Sequence, residues 1–229
     1  MSRWDDAVTE TEADATRFWA AASLDQLEQM MAPRPAWEAW LRVAAGVITA
    51  PGSVFEPGCG IGLLTTVLPK GCTYYGADVN DVFVEEARRT FGAPDVNFVV
   101  RDLYDVLDSG ERFDWVVVTS LFGMFPEAAT YELIDRFWAA ARMGLSVTTI
   151  NKRRYASHRL LRFDFTAHDP DELCRSLEGL PDVGRVELHD GREYPEFRGR
   201  HWSRCLAAYA WRAGAVPLNG SSAPPSKGL

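Results

Sequence analysis

No run in the 229 residues approaches the ~20 consecutive apolar side chains that cross a bilayer. The opening Met1-Ser2-Arg3-Trp4-Asp5-Asp6 has no apolar signal core either, so a soluble, cytoplasmic protein is expected. Cysteine is scarce: Cys59, Cys72, Cys174 and Cys205 are scattered without a C-x-x-C pair. That spacing signals neither a zinc site nor a disulfide framework, which leaves free thiols and no metal as the expectation. Positive charge is in deficit, with Lys+Arg 24 against Asp+Glu 32 and a formal net charge of −8. Such a balance argues against a nucleic-acid partner, because phosphate chains are gripped by clustered cations. No internal repeat is found, and the length suits one well-buried domain rather than two.

What the sequence does contain is an alternation of short apolar runs and amphipathic segments. Residues before Pro51 read as helices, with Phe18, Trp19 and Ala22 in one amphipathic run and Trp37, Trp40, Leu41 and Ala44 recurring at helical spacing in another. From Gly52 onward, strands are expected at Val54–Glu56, Thr73–Asp78, Val96–Arg101, Phe113–Thr119 and Leu145–Ile150. Helices are expected between them, beginning at Leu63, Asp81 and Tyr131. Alternation of this kind calls for a parallel sheet covered on both faces, with ligands at the carboxyl ends of its strands. A further helix opens at Asp169-Pro170-Asp171-Glu172, and Arg185–Asp190 and Arg204–Arg212 read as two last strands. The domain boundaries that follow are a helical segment over 1–50, a Rossmann-like domain over 51–214 and a disordered Gly/Ser/Pro-rich tail over 215–229.

One stretch organises the rest. In Val54-Phe55-Glu56-Pro57-Gly58-Cys59-Gly60-Ile61-Gly62-Leu63, three alternating glycines join a buried strand to the next element. Glycine takes backbone angles closed to other residues and lets a bound molecule lie against the main chain. The dinucleotide fingerprint G-x-G-x-x-G/A is not met, since Leu63 occupies its third small position. Glu56, two residues before the first glycine, would repel a pyrophosphate and suits a cationic ligand. Two more acids end the next two strands, Asp78 after Tyr74-Tyr75-Gly76-Ala77 and Asp102 after Val96-Asn97-Phe98-Val99-Val100-Arg101. Each acid taken singly is also what a solvated loop or a helix cap uses, so the constellation carries the inference.

This E-x-G-x-G-x-G followed by acids at two further strand ends resembles the class I S-adenosylmethionine (SAM) dependent methyltransferases. The resemblance implies a Rossmann-like doubly wound α/β fold, with a seven-stranded, mostly parallel sheet, an antiparallel last strand and an N-terminal helical lid. It implies SAM as cofactor, with Glu56 at the ammonium end and Gly58, Cys59, Gly60 and Gly62 beside the methionine portion and ribose. Asp78 and Val79 would sit at the ribose, Asp102 and Leu103 at the adenine, and Thr119 on the adjoining loop. Thr119-Ser120-Leu121-Phe122-Gly123 lacks the Asn/Asp-Pro-Pro-aromatic motif of amide and adenine N-methyltransferases. A small-molecule acceptor methylated on O, N or C remains by elimination, the chain acting as a monomer or homodimer without nucleic acid or membrane.

SAM carries its own leaving group, so aligning the reactants matters more than a base. Where a base is needed, His158 and His168 lie near the active rim, and Tyr155 is a further catalytic candidate. The stretch after strand five gathers Lys152, Arg153, Arg154, Arg159 and Arg162 in an otherwise acidic chain. Asn151, Arg153, Arg154 and Arg159 are therefore candidates for binding an anionic acceptor, the guanidinium being matched to carboxylate or phosphate. Three other functions compete. They are non-methyl SAM chemistry such as cyclisation or aminocarboxypropyl transfer, a SAM-binding partner without turnover, and an NAD-dependent oxidoreductase, which Glu56 and Leu63 disfavour.

Overall fold

The structure is a computed structural model, and it describes residues 12–31, 34–154, 166–198 and 201–215. Three helices come first, α1 (Glu12–Ala21), α2 (Leu24–Met30) and α3 (Arg34–Ala44). The sheet then begins with β1 (Ser53–Pro57), β2 (Thr73–Asp78), α4 (Asp81–Phe91), β3 (Val96–Val100), α5 (Leu103–Asp108) and β4 (Phe113–Val118). It continues with α6 (Glu127–Ala140), β5 (Ala141–Asn151), the two-residue β6 (Ala167–His168), α7 (Pro170–Glu178), β7 (Val183–Asp190) and β8 (Cys205–Arg212).

The strand order is β3-β2-β1-β4-β5-β8-β7, with β6 pairing β5 off that path. The expected seven-stranded path is thus present, and the short β6 makes an eighth strand. Pairs β3/β2, β2/β1, β1/β4 and β4/β5 are parallel. Only β8 runs against its neighbours β5 and β7. The order reverses between β1 and β4, which opens the crevice where such sheets bind ligands. Glu56, the glycine loop and Thr119 all sit at that switch point.

Burial on both faces explains the near-unbroken apolar strands. One face of the sheet packs Val54, Trp115, Val117 and Trp211 against Trp40 and Leu41 of α3 and Phe83 and Ala87 of α4. The other packs Phe55, Val116, Val118 and Leu145 against Phe137 and Trp138 of α6 and Leu173 and Leu177 of α7. The exit from α3 is fastened to the sheet by three aromatic donors. Trp115 Nε1 gives to Ala50 O at 3.0 Å, Trp211 Nε1 to Val47 O at 2.8 Å, and the Tyr209 hydroxyl to Val43 O. Each such bond contributes about 1 kcal/mol net, and together they fix where the N-terminal segment enters the fold.

Two local expectations are corrected. The element after the glycine loop, read as a helix from Leu63, is a 3₁₀ turn over Leu63–Val67. The Thr65 and Thr66 hydroxyls take the carbonyls of Gly62 and Leu63 at 2.7 and 2.8 Å, and Leu68 turns extended ahead of Pro69. The fifth strand also starts earlier than its apolar run, at Ala141 rather than Leu145. It follows α6 without a loop, and Arg142 and Met143 mask its beginning in the sequence.

Candidate active site

Glu56 lies in β1 with 2% of its surface exposed. Thr119 Oγ1 donates to its Oε1 at 2.6 Å and the Tyr74 hydroxyl to its Oε2 at 2.5 Å. Desolvation nonetheless dominates, and against these two hydrogen bonds it pushes the carboxyl up from 4.5 to about 8, with Asp78 adding a smaller upward push. The carboxyl is thus buried and held by neutral donors, with no cation among its described partners.

The glycine loop is tied to the end of β2. Gly60 N–H donates to Asp78 Oδ2 at 2.8 Å, and Asn80 N–H donates to Asp78 Oδ1 at 2.9 Å. Each oxygen of Asp78 thereby keeps one lone pair for a ligand hydroxyl. Burial raises the Asp78 carboxyl above its ordinary value, opposed by these amide donors. Gly62 has a different duty: at φ +78 it lies so near Phe98 that a Cβ would come within 2.5 Å of the ring. Asp102 caps α5 by accepting from Tyr104 N–H at 2.8 Å on Oδ1. It thus acts as a helix cap while its other oxygen stays available.

These groups open on a cavity of about 400 Å³, within the range of small-molecule sites. Glu56, Gly58, Cys59 and Gly60 line it, as do Asp78 and Val79, Asp102 and Leu103, and Thr119. Of the residues expected at the cofactor, Gly62 alone does not line it, serving strand-to-helix packing instead. The N-terminal helical segment contributes Trp19, Leu27, Met31, Trp37 and Trp40 to the wall.

A profile described as a methyltransferase domain matches residues 54–144. Over residues 54–144 the chain is thus similar to that family. Solved structures share its fold at low identity. A SAM-dependent methyltransferase from Archaeoglobus fulgidus superposes with a TM-score of 0.62 at 16% identity, covering 81% of this chain and 97% of that one. Magnesium protoporphyrin IX methyltransferase from Synechocystis, solved with bound SAM, gives 0.55 at 17% identity, covering 90% and 93%. An N-methyltransferase from Bradyrhizobium japonicum, in complex with S-adenosyl-L-homocysteine, gives 0.59 at 16%, covering 88% and 97%. Among curated protein sequences none matches the chain.

Other candidates fall away from the cavity. His168 is fully buried, its Nδ1 2.6 Å from Thr149 Oγ1 and its ring beside Phe122 and Tyr131. Burial lowers its pKa to about 4, which leaves it neutral and a poor proton acceptor at pH 7. Arg153 pairs with Asp169 at 2.9 Å and Asp171 at 2.5 Å, and Arg154 pairs with Asp190 at 2.7 Å. Asn151 is 2% exposed and accepts from Arg153 N–H at 3.0 Å. None of these four residues lines the cavity. Tyr155, His158 and Arg159 lie outside the described residues.

Sequence reasoning missed Tyr74, Asn80 and the shape of the loop at Ser120. Asn80 caps α4 by accepting from Phe83 N–H at 3.1 Å while its amide donates to the Trp19 and Ala22 carbonyls at 2.7 and 2.9 Å. It therefore pins the end of α1 over the tip of β2. An Asn directly before an amphipathic run was a readable cap signal, but its second partner 61 residues away was not. Ser120 lines the cavity at φ 54, its N–H donating to Thr148 Oγ1 at 2.7 Å.

Among the described residues, no group of three or more His, Cys, Asp or Glu side chains could hold a metal ion. No described helix is long and apolar enough to cross a membrane.

Proposed function

We propose that the protein is a SAM-dependent methyltransferase that transfers the methyl group to O, N or C of a small molecule. The observation that carries this reading is the buried Glu56 carboxyl, raised to about 8 and held only by hydroxyl donors, at one end of a cavity whose rim also holds Asp78 and Asp102. An ammonium beside Glu56 would restore its ionised form and relieve the burial penalty. A nucleotide phosphate there would meet three acids, which disfavours a dinucleotide.

The chain's residues divide the work by position. Glu56 holds the ammonium, Asp78 accepts from the two ribose hydroxyls with its remaining lone pairs, and Asp102 accepts from the adenine amino group beside Leu103. Gly58 and Gly60 let the main chain approach, and the N-terminal helices exclude water from above. When bound, SAM supplies an activated methyl group, and the protein's task is to align the acceptor with it. Positioning suffices for a nucleophile already free of its proton, consistent with the burial of His168 away from the cavity.

Calorimetric titration with SAM and S-adenosylhomocysteine tests the reading, with Asp78→Ala as control. Binding by the parent and loss of at least about tenfold in the variant are expected. Equal binding by the two proteins, or none by the parent, overturns the assignment. Turnover products then separate the chemistries, since S-adenosylhomocysteine marks methyl transfer and methylthioadenosine marks attack on the aminocarboxypropyl arm.

A further inference from the structure

The cavity has two unlike ends. The acids Glu56, Asp78 and Asp102 occupy one, and they are assigned to the cofactor under the function proposed above, on which this inference rests. The cavity is also lined by Trp37, Trp40, Met31, Phe125, Ile150 and Cys205, and by Thr148 and Thr149, whose hydroxyls are engaged with Ser120 N–H and His168 Nδ1. The Cys205 thiol is pushed up to about 12 by burial, so it adds no charge.

Cations are withheld from this wall among the described residues. Arg101 is the one described cation that lines the cavity, and it lies beside Asp102 at the acid end. It is spent on Glu111 at 2.8 Å, the Asp105 carbonyl at 2.7 Å and the Tyr75 hydroxyl at 3.3 Å. Arg153 and Arg154, adjacent in sequence to the end of β5, are matched to Asp169, Asp171 and Asp190 outside the cavity. Taking an ionised group out of water without a partner is strongly unfavourable. An anionic acceptor substituent would meet that penalty on this wall, and an ammonium would meet no acid beyond those already assigned. Trp37 brings a half-buried indole to the lining while Trp40 is 1% exposed, and an aromatic surface of this kind favours a flat guest.

We infer that the acceptor is an uncharged, apolar molecule bearing a planar ring system, enclosed between the lid tryptophans and the ends of β5 and β8. The cavity therefore selects against small polar metabolites and against acceptors whose recognition depends on a carboxylate or phosphate inside it.

The test uses the full-length protein at pH 7 and three probes of one shape and different charge: 2-naphthol, 2-naphthoate and 2-naphthylmethylammonium. Each is titrated by calorimetry with and without saturating S-adenosylhomocysteine. Naphthol is expected to bind at least about tenfold tighter than either charged probe in both series. Trp37→Leu, at a half-buried position, is expected to weaken naphthol at least about fivefold while leaving S-adenosylhomocysteine affinity within about twofold. Naphthoate or the ammonium binding as well as naphthol overturns the inference, as does failure of all three. The charge series needs no variant, so a misfolded Trp37→Leu leaves it decisive. Loss of S-adenosylhomocysteine binding alone counts against the proposed function, while the series without it still reads the preference of the cavity.

Discussion

The Tyr74 hydroxyl donates to Glu56 Oε2 at 2.5 Å from the neighbouring strand, and it reaches there across Gly76. A Cβ at Gly76 would stand 2.7 Å from both the Tyr74 hydroxyl and its Cε1, so the absent side chain is the space the ring uses. In register Gly76 faces Glu56 and Tyr74 faces Val54. The phenol thus leans two register positions toward the carboxyl end of the sheet. Sequence, strand pairing and the charge state of the site are joined in this contact, and four predictions start from such pairings.

The first concerns pH. Glu56 carries a folded pKa of about 8 against an ordinary 4.5, so between these values the ligand-free fold keeps a proton that the unfolded chain has lost. Stability contributed by this group is therefore full below pH 4.5 and declines as pH rises toward 8. Glu56→Gln should flatten that decline and raise the melting temperature of the ligand-free protein at pH 8. It should also weaken SAM by at least about a hundredfold, since the ammonium loses its counter-charge. Wild-type affinity should rise from pH 6 to 8, with proton release on binding at pH 7. Calorimetry in buffers of different ionisation enthalpy measures that release; its absence would show that Glu56 is already ionised.

The hydroxyl partners make a graded second test. Both hydrogen bonds lower the Glu56 pKa, Thr119 more than Tyr74. Thr119→Val and Tyr74→Phe should each move the midpoint of the pH-dependent affinity upward, the threonine change by more. Gly76→Ala should shift it in the same direction as Tyr74→Phe, by displacing the ring rather than deleting its hydroxyl. A downward shift in any of the three would mean that the hydroxyl it disturbs favours the protonated carboxyl rather than the ionised one.

What could be read from the sequence was what local pattern encodes. Glu56, Asp78 and Asp102 follow apolar runs directly, and a parallel sheet brings successive strand ends to one rim, so the acids were legible with the fold. The partners that set their chemistry were not. Tyr74 meets Glu56 through strand register, and Asn80 meets Trp19 across 61 residues. The arginines mislead for the same reason. Their contrast with an acidic chain drew attention to Arg153 and Arg154, yet the acids that neutralise them stand 16, 18 and 36 residues further on. The 3₁₀ turn after Gly62 was hidden by hydroxyl competition for carbonyls, which hydrophobic periodicity does not register.

A third prediction ranks those arginines. The Arg153 side chain is 52% exposed, with its partners Asp171 at 69% and Asp169 at 26%, and Asp169 keeps the Asp171 N–H after Arg153 is removed, so screening leaves these pairs little net effect. Arg154 and Asp190 are 23% and 19% exposed, and removing the guanidinium leaves the half-buried carboxylate only the Arg192 N–H at 3.0 Å and the more distant Arg192 guanidinium at 3.7 Å. Arg154→Ala should therefore lower the melting temperature more than Arg153→Ala does. Both variants should bind S-adenosylhomocysteine within about twofold of wild type, because neither side chain lines the cavity. Thermal melts and titration of the two proteins check the order, and a large affinity loss in either would return the arginines to the site.

The fourth prediction isolates the lid. Asn80 is 1% exposed and makes three hydrogen bonds through its side chain, one capping α4 and two to the carbonyls that end α1. Asn80→Ala removes a helix cap, for about 1 kcal/mol, and takes the side-chain donor from the Ala22 carbonyl, for about 1–3 kcal/mol more, while the Trp19 carbonyl keeps the Ala22 N–H at 3.2 Å. Asn80→Asp separates these effects, because the carboxylate still caps α4 but has no donor for Trp19 and Ala22. The aspartate variant should keep the helix and release the lid. Hydrogen exchange over Glu12–Ala22 should then accelerate while exchange in α4 stays near wild type, and S-adenosylhomocysteine should weaken by about tenfold through loss of the cover over Asp78. Unchanged exchange in α1 would show that the apolar contacts of Trp19 and Ala22 hold the lid without the amide.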